Sequence, residues 1–574
     1  MLKPKLFSIL KHRKTELSKK QFINDCVSGV IVAIIALPLS VALAIASGVS
    51  PEKGLITAII GGFLISFLGG SRVQIGGPTG AFVIIVYGII QKYGMEGLTI
   101  ATIISGALLV LFGLLRFGSI IKYIPYPITT GFTAGIAVVL FSTQVKDLLG
   151  LKIEHIPSEF FEKWGSYIAN LHTIQLETLI VGASALLIII LMPKVNKTIP
   201  GSLIALIFTT IAVQVFHLPV ATIGSIFGEI SSSIPLPRLV SIDIKMISEL
   251  MHPAITIAIL AGIESLLSAV VADGMIGKKH NSNMELIAQG VANIACAIFG
   301  GIPATGAIAR TAANVKNGGR TPIAGIVHSV VLLLIMLIFM PYAKLIPMTT
   351  LAAILIVVAY NMSEWRAFKG LLSSTKSDIS VLLITFLLTV IFDLVVAIEL
   401  GMIFALFLSV KKIADTTQIN EISPLLKDMS EDDENEGEYL VDNKTAVTPK
   451  QILVYEINGP LFFGAASTFM DVMSEVKSTA DILIIRMKNV PIIDATALDV
   501  LKRIDLRCRK HHIMLLLSEL QPQPIKLLDK TGFTYKLGKN RLFEKYDDAL
   551  SLARSIVDFK NETSKNRNKK TVAN

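Results

Sequence analysis

Apolar residues fall in long blocks over most of the chain and in short runs over its last quarter, and the change comes near residue 412. Between residues 22 and 411 the blocks recur at lengths of about 20 residues, enough to carry a helix through a hydrocarbon core of roughly 30 Å. They predict spans near 22–47, 54–70, 78–90, 97–115, 127–145, 176–192 and 201–216, and again near 253–272, 284–299, 304–314, 322–340, 349–360, 378–393 and 395–410, seven and seven. From 413 to 450 the chain is polar, with the acidic run Glu431-Asp432-Asp433-Glu434-Asn435-Glu436, and reads as a linker that buries no core. Strand-like Ile452–Tyr455, Ile482–Ile485 and Ile513–Leu517 then alternate with helical stretches at 465–477 and 496–509, the pattern of a small α/β domain over 451–555. The basic tail 1–20 and the Lys- and Asn-rich tail 556–574 flank these parts, the latter read as disordered.

Composition sharpens this picture. Of 574 residues 52% are hydrophobic and only 17% charged, which excludes a soluble protein of this size and makes the lipid bilayer the solvent for most of the chain. The first apolar run ends in the signal-like Ala44-Ile45-Ala46-Ser47, but it is long for a signal peptide and is kept as a span. Cys26, Cys296 and Cys508 stand far apart with no metal-ligand spacing, so neither a disulfide framework nor a zinc site is expected. The net charge of +10 sits in the tails and in short loops holding Arg72, Arg116, Lys194, Lys278, Arg320 and Lys411. That distribution orients a multi-pass protein of the inner (plasma) membrane with both termini in the cytoplasm, and no nucleic acid partner is expected.

The two halves repeat. Gly76-Gly77-Pro78-Thr79-Gly80-Ala81 recurs as Gly300-Gly301-Ile302-Pro303-Ala304-Thr305-Gly306-Ala307, and Ala44-Ile45-Ala46-Ser47-Gly48 lies beside Val270-Val271-Ala272-Asp273-Gly274 in nearly the same offset. Seven spans per copy force the second copy to enter inverted, the plan of secondary transporters. Spans three and ten are short and begin after Gly-Gly and a proline, so each predicts a helix that starts abruptly within the membrane after an extended segment. Two such N-termini facing one another offer unpaired N–H groups and about half a positive charge each. Thr79, Gly80 and Ala81 from one half, with Ala304, Thr305, Gly306 and Ala307 from the other, are therefore the expected anion-binding residues. Non-helical backbone at that depth is tolerable where it lines a polar cavity.

Ionisable residues inside the membrane mark function. Glu264 lies in the apolar eighth span with Ser268 one turn on, and a carboxylate beside an anion site needs a cation, so the pair is the expected seat of a coupling ion, Na+ or H+. Of the two, sodium is the expected ion, because Ser268, one turn from Glu264 on the same helix face, would help to hold it. Arg310 either adds positive field to the site or snorkels to the interface. No other cofactor and no enzymatic chemistry is expected.

The chain resembles the sulfate permease (SulP) family of anion transporters with a C-terminal STAS domain, over residues from about 20 to 555. The resemblance rests on Ala36-Leu37-Pro38, Gly76 to Gly80, Glu264-Ser265-Leu266-Leu267-Ser268 with Asp273, and Gly300 through Arg310 to Thr321. It implies an α-helical polytopic membrane protein of 14 segments, in which a core (spans 1–4 and 8–11) moves elevator-fashion past a gate (spans 5–7 and 12–14). It also implies a homodimer, Pro38 beside the substrate, and a STAS domain open to a regulatory protein. Leu39 and Leu43 stand where many sulfate permeases hold glutamine and tyrosine, which is closer to the sodium-coupled bicarbonate branch; that branch commonly holds aspartate at Glu264, which leaves a proton open. Bicarbonate and sulfate lead as substrates, with proton-coupled dicarboxylate symport, an uncoupled anion channel, a nucleobase transporter and a signalling protein as other readings. Asp494-Ala495-Thr496-Ala497-Leu498 resembles the phosphorylated loop of anti-sigma antagonists with Thr496 at the acceptor position, and reads equally as a helix cap.

Overall fold

The structure, a computed structural model, describes residues 3–11, 17–119, 125–153, 157, 159–195, 200–233, 235–237, 244–392, 394–422, 451–474 and 480–572. The chain divides into two compact units, Met1–Ala405 and Leu406–Asn574.

The first unit is helical. After α1 (Lys5–Lys11), α2 (Lys19–Ala46) is capped by the Ser18 hydroxyl, and α3 (Pro51–Ile56), a π-turn at Thr57–Gly61 and α4 (Gly62–Leu68) make one bent passage. A two-residue strand, β1 (Gly76–Gly77), and a 3-10 turn (Gly80–Phe82) lead into α5 (Val83–Leu114). Gly94, at a φ of +66°, breaks α5 between the spans expected at 78–90 and 97–115. Next come α6 (Tyr126–Leu149), α7 (Phe160–Ala169), α8 (Leu176–Val195), α9 (Gly201–Val215) and α10 (Ile223–Phe227). The second half runs α11 (Ile244–Ile276), α12 (Ser282–Ile298), β2 (Thr305–Gly306), α13 (Ile308–Lys316), α14 (Ile323–Ala343), α15 (Met348–Met362), α16 (Trp365–Leu371), α17 (Lys376–Ile391) and α18 (Leu394–Asp415). Eight stretches among the described residues are long and apolar enough to cross a membrane. The nine-residue α13 is not among them, and the span expected at 304–314 is in fact a strand and a short helix.

Helices pack in two groups. One joins α5 to α11 and α12 and α2 to α14; the other joins α6 to α15 and α17, with α8 against α9 and α15. Glycine sets both seams, because without a side chain two backbones can close on each other in lipid, where apolar burial gives helices no net attraction. Gly106 and Gly290 face one another between α5 and α12, and Gly131 and Gly135 face Leu382, Thr385 and Thr389 between α6 and α17. Leu187, Ile207, Phe208, Ile338, Phe339 and Phe407 point outward, as lipid-facing side chains do.

The second unit is a five-stranded sheet in the order β3 (Gln418–Glu421), β4 (Ile452–Asn458), β5 (Ile482–Asn489), β6 (Met514–Ser518), β7 (Leu542–Phe543), parallel except where β3 meets β4. Its helices are α19 (Phe463–Ser474), α20 (Ala495–Lys510), α21 (Pro522–Lys530), α22 (Phe533–Leu537) and α23 (Tyr546–Val572). One sheet face is covered by α19 and α20 and the other by α23, which accounts for the nearly unbroken apolar strands. Two expectations change here. Residues 418–421, read as linker, are the edge strand β3, whose polar sequence suits an edge exposed to water. The tail beyond 556 continues α23 to Val572, since neither glycine nor proline interrupts it. The acidic run 431–436 lies outside the described residues.

Candidate functional site

The two glycine-rich segments meet. Gly76 pairs with Gly306 and Gly77 with Thr305 in an antiparallel bridge, so the chain enters the crossing from opposite directions in its two halves. Glycine is required by space: a Cβ on Gly306 would fall on the Gln74 amide, and one on Gly77, whose φ is +153°, would fall on Arg310 Nη1. Each strand then feeds a helix that lacks a side-chain cap, through Thr79 on one side and Ala307 on the other. The first-turn N–H groups of Gly80 and Ala81, and of Ile308, Ala309 and Arg310, thus have no intrahelical acceptor, and both dipoles end at the crossing.

Such extended backbone survives in lipid only if its polar groups are satisfied, and neighbouring spans satisfy them. From α11, Ser265 Oγ shares a 2.6 Å hydrogen bond with Thr305 Oγ1 and accepts the Gly306 N–H at 3.1 Å, while Thr305 Oγ1 donates to the Ala261 carbonyl at 3.1 Å. Ser268 Oγ donates to Thr311 Oγ1, which accepts the Ile75 N–H at 3.1 Å, and Gln74 Nε2 donates to the Ser265 carbonyl. From α12, Asn293 holds the backbone of one residue on both sides, its Oδ1 accepting the Ala304 N–H at 2.9 Å and its Nδ2 donating to the Ala304 carbonyl at 2.8 Å. From the π-turn, Thr57 Oγ1 accepts the Ile302 N–H at 2.8 Å.

Two charged groups flank the Pro78–Thr79 peptide. Thr79 Oγ1 donates to Glu264 Oε2 at 2.9 Å, and Glu264 is half-buried. Arg310 Nη2 donates to the Pro78 carbonyl, and its Nη1, buried with the rest of the side chain, has no partner. Arg310 is therefore turned into the crossing, and the snorkelling alternative does not hold. Gln74 Oε1 and both ring nitrogens of His328, all buried, also lack partners. Uncapped N–H groups and an unpaired guanidinium N–H together leave the crossing with donors in want of an acceptor, which is what an anion supplies.

The expected residues are drawn together, with a change in their roles. Thr79, Gly80, Ala81 and Arg310 border the free donors. The N–H groups of Ala304, Gly306 and Ala307 are already given to Asn293, Ser265 and the Ile75 carbonyl, and the Thr305 hydroxyl is held by α11, so these four shape the crossing. The free donors of the second half lie one step on, at Ile308–Arg310, because α13 starts at Ile308. Pro38 is buried inside α2 and takes no part in these hydrogen bonds. Glu264 and Ser268 turn to different partners, Thr79 and Thr311. Among the described residues no group of His, Cys, Asp and Glu side chains is arranged to hold a metal ion. Sequence reasoning passed over Asn293, Thr57 and His328, each an uncharged polar residue within an apolar span, and Gln74, in the extended segment between two spans. In the second unit Asp494 caps α20, its carboxylate accepting the N–H groups of Ala497 and Phe463, and Thr496 is exposed on the first turn.

The sequence profile of the Sulfate permease family matches residues 22–385, and that of the STAS domain residues 443–549. The chain is 41% identical to the "Putative sulfate transporter YvdB" of Bacillus subtilis, over 92% of this chain and 97% of that one. It is 31% identical to the bicarbonate transporter BicA of Picosynechococcus, over 77% and 79%. The structure of the murine Solute Carrier 26 family member A9 anion transporter shares the fold, with a TM-score of 0.83 at 17% identity, over 95% of this chain and 94% of that one.

Proposed function

The chain belongs to the sulfate permease family, transporters of anions and not enzymes, and from that premise we propose that it carries sulfate across the plasma membrane by secondary active transport driven by a proton. The observation that bears most of this reading is the crossing itself: two uncapped half-helices whose free N–H groups and an unpaired Arg310 N–H converge beside one carboxylate. Backbone dipoles recognise charge and size, so the donors alone accept sulfate and bicarbonate alike.

The coupling ion separates the two. A sodium ion takes several oxygen ligands at once, whereas Glu264 has the Thr79 hydroxyl beside it and Ser268 is engaged with Thr311. A proton needs the carboxylate alone. A proton delivered with bicarbonate would make carbonic acid and then CO2, which crosses membranes unaided, so proton coupling is useful to a carrier of sulfate. In the proposed cycle Glu264 is neutralised by the proton, the anion binds between Gly80–Ala81 and Ile308–Arg310, and the group containing α2, α5 and α11 to α14 slides past the group containing α6, α8, α9, α15 and α17. The proposed orientation has both termini in the cytoplasm, a reading supported by the positive charge of the loops on their side. The proposed assembly is a homodimer, with a regulatory protein as the proposed partner of the STAS domain.

Uptake of labelled sulfate, bicarbonate and succinate into proteoliposomes, with proton and sodium gradients imposed in turn, tests this. Sulfate uptake that follows the inward proton gradient is expected. Bicarbonate uptake driven by sodium would replace the reading with sodium-coupled bicarbonate transport, succinate uptake with dicarboxylate symport, and gradient-independent flux that does not saturate with an anion channel.

A further inference from the structure

A cavity of about 920 Å³ lies at the end of the membrane unit away from the N-terminus, bounded by Ile45 and Ala46 of α2, residues 83–93 of α5, the last turns of α6 and the helix α7. Its wall includes the first turns of α5, directly after the Gly80–Phe82 turn of the crossing. The amphipathic α7 spans no membrane; it lies in the loop between α6 and α8 and places Lys163 and Tyr167, four residues apart and so on one helix face, in the cavity wall. Lys163 is 5% exposed and, among the described residues, its ammonium makes no hydrogen bond or ion pair, and Tyr167 is 1% exposed with its hydroxyl unpartnered among them. Burial without a counter-charge pushes the Lys163 ammonium down from its ordinary range. Asp147, Glu159 and Glu249 also line the cavity, as do Lys92 and His252, and none of these carboxylates pairs with Lys163. A buried cation and a buried hydroxyl left without acceptors in a roomy cavity are stabilised by an anion that accepts from both.

We propose that Lys163 and Tyr167 form an entry subsite that holds a small oxyanion before it reaches the crossing, at the end of the membrane unit away from the N-terminus. This rests on the transport reading above, and names a binding site along the path to that site. Lys163 contributes the charge and Tyr167 a directed O–H, and the subsite raises local anion concentration at the mouth of the crossing.

Initial rates of labelled sulfate and bicarbonate uptake, in proteoliposomes with the Lys163 face outward, test the proposal for wild type, Lys163→Gln, Lys163→Arg and Tyr167→Phe. Wild-type uptake of either anion establishes transport independently of the subsite. The expected result is a KM raised several-fold in Lys163→Gln and less in Tyr167→Phe, an unchanged maximal rate, recovery in Lys163→Arg, and an unchanged KM for exit from the opposite face. An unchanged KM in Lys163→Gln, with the melting temperature of the wild type, overturns the subsite. A lowered maximal rate at constant KM also overturns it, and assigns Lys163 instead to a contact with Asp147 in another conformation.

Discussion

Asn293→Ala is the substitution whose effect follows most fully from the structure. The Asn293 amide is the partner of both the N–H and the carbonyl of Ala304, and all three groups are buried. Truncation leaves two backbone groups unsatisfied in lipid, at about 1–3 kcal/mol each, so about 2–6 kcal/mol is lost from the segment that leads into β2. Thr57→Val removes the single acceptor of the Ile302 N–H in the same segment, and its expected loss is about half as large. The Ala304 peptide sits one residue before the β1–β2 pairing, so its release lets Thr305 and Gly306 drift from Gly77 and Gly76, and with them the first turn of α13. A loss of about 1.4 kcal/mol reaching the anion already costs tenfold in affinity. Sulfate uptake in proteoliposomes and thermal unfolding in detergent read the two consequences. Asn293→Ala is expected to lower both, with uptake down at least tenfold and Thr57→Val intermediate. Wild-type uptake and melting temperature in Asn293→Ala would refute the claim that this side chain holds the crossing in place.

Glu264→Gln keeps the shape beside Thr79 and cannot exchange a proton, so concentrative uptake should vanish while the melting temperature stays within a few degrees; uptake that still follows the proton gradient would remove Glu264 from the coupling role. Gly306→Leu drives a side chain into the Gln74 amide and should abolish sulfate binding measured by calorimetry, whereas unaltered binding would place the site elsewhere. Ser268→Ala frees Thr311 and should slow uptake a few-fold without altering its response to sodium; a raised sodium requirement would favour sodium coupling. In the second unit Asp494→Ala loses the acceptor of two N–H groups and should destabilise that unit by about 1–2 kcal/mol, seen as earlier proteolysis around α20, with no change expected from Ala495→Ser.

The membrane class, the α/β domain and the meeting of the two glycine motifs were legible because each has a one-dimensional signal: block length, strand alternation, and a motif that recurs. The start of α13 was not, because Ala304 to Ala307 are small residues that suit a strand or a helix, and only pairing with β1 makes Thr305 and Gly306 extended. In that conformation the N–H groups that the motif alone offers to an anion are taken by Asn293, Ser265 and the Ile75 carbonyl. Arg310 shows a second limit: spacing put it two turns into a span of the expected length, whereas in the observed helix it lies in the first turn and reaches back to Pro78. Asn293 and Thr57 carry no charge, and their role depends on backbone brought close from far along the chain. The edge strand at 418–421 escaped notice because an edge facing water tolerates a polar sequence.

Whether free donors at the start of both half-helices hold the anion is decided by a density map of the protein saturated with the transported anion, with selenate standing in for sulfate. A single tetrahedral density is expected within roughly 2.7–3.2 Å of N–H groups from Gly80 or Ala81 on one side and from Ile308 to Arg310 on the other, close to the Arg310 guanidinium. Density remote from both helix starts, in a protein whose uptake of the same anion is intact, would contradict it.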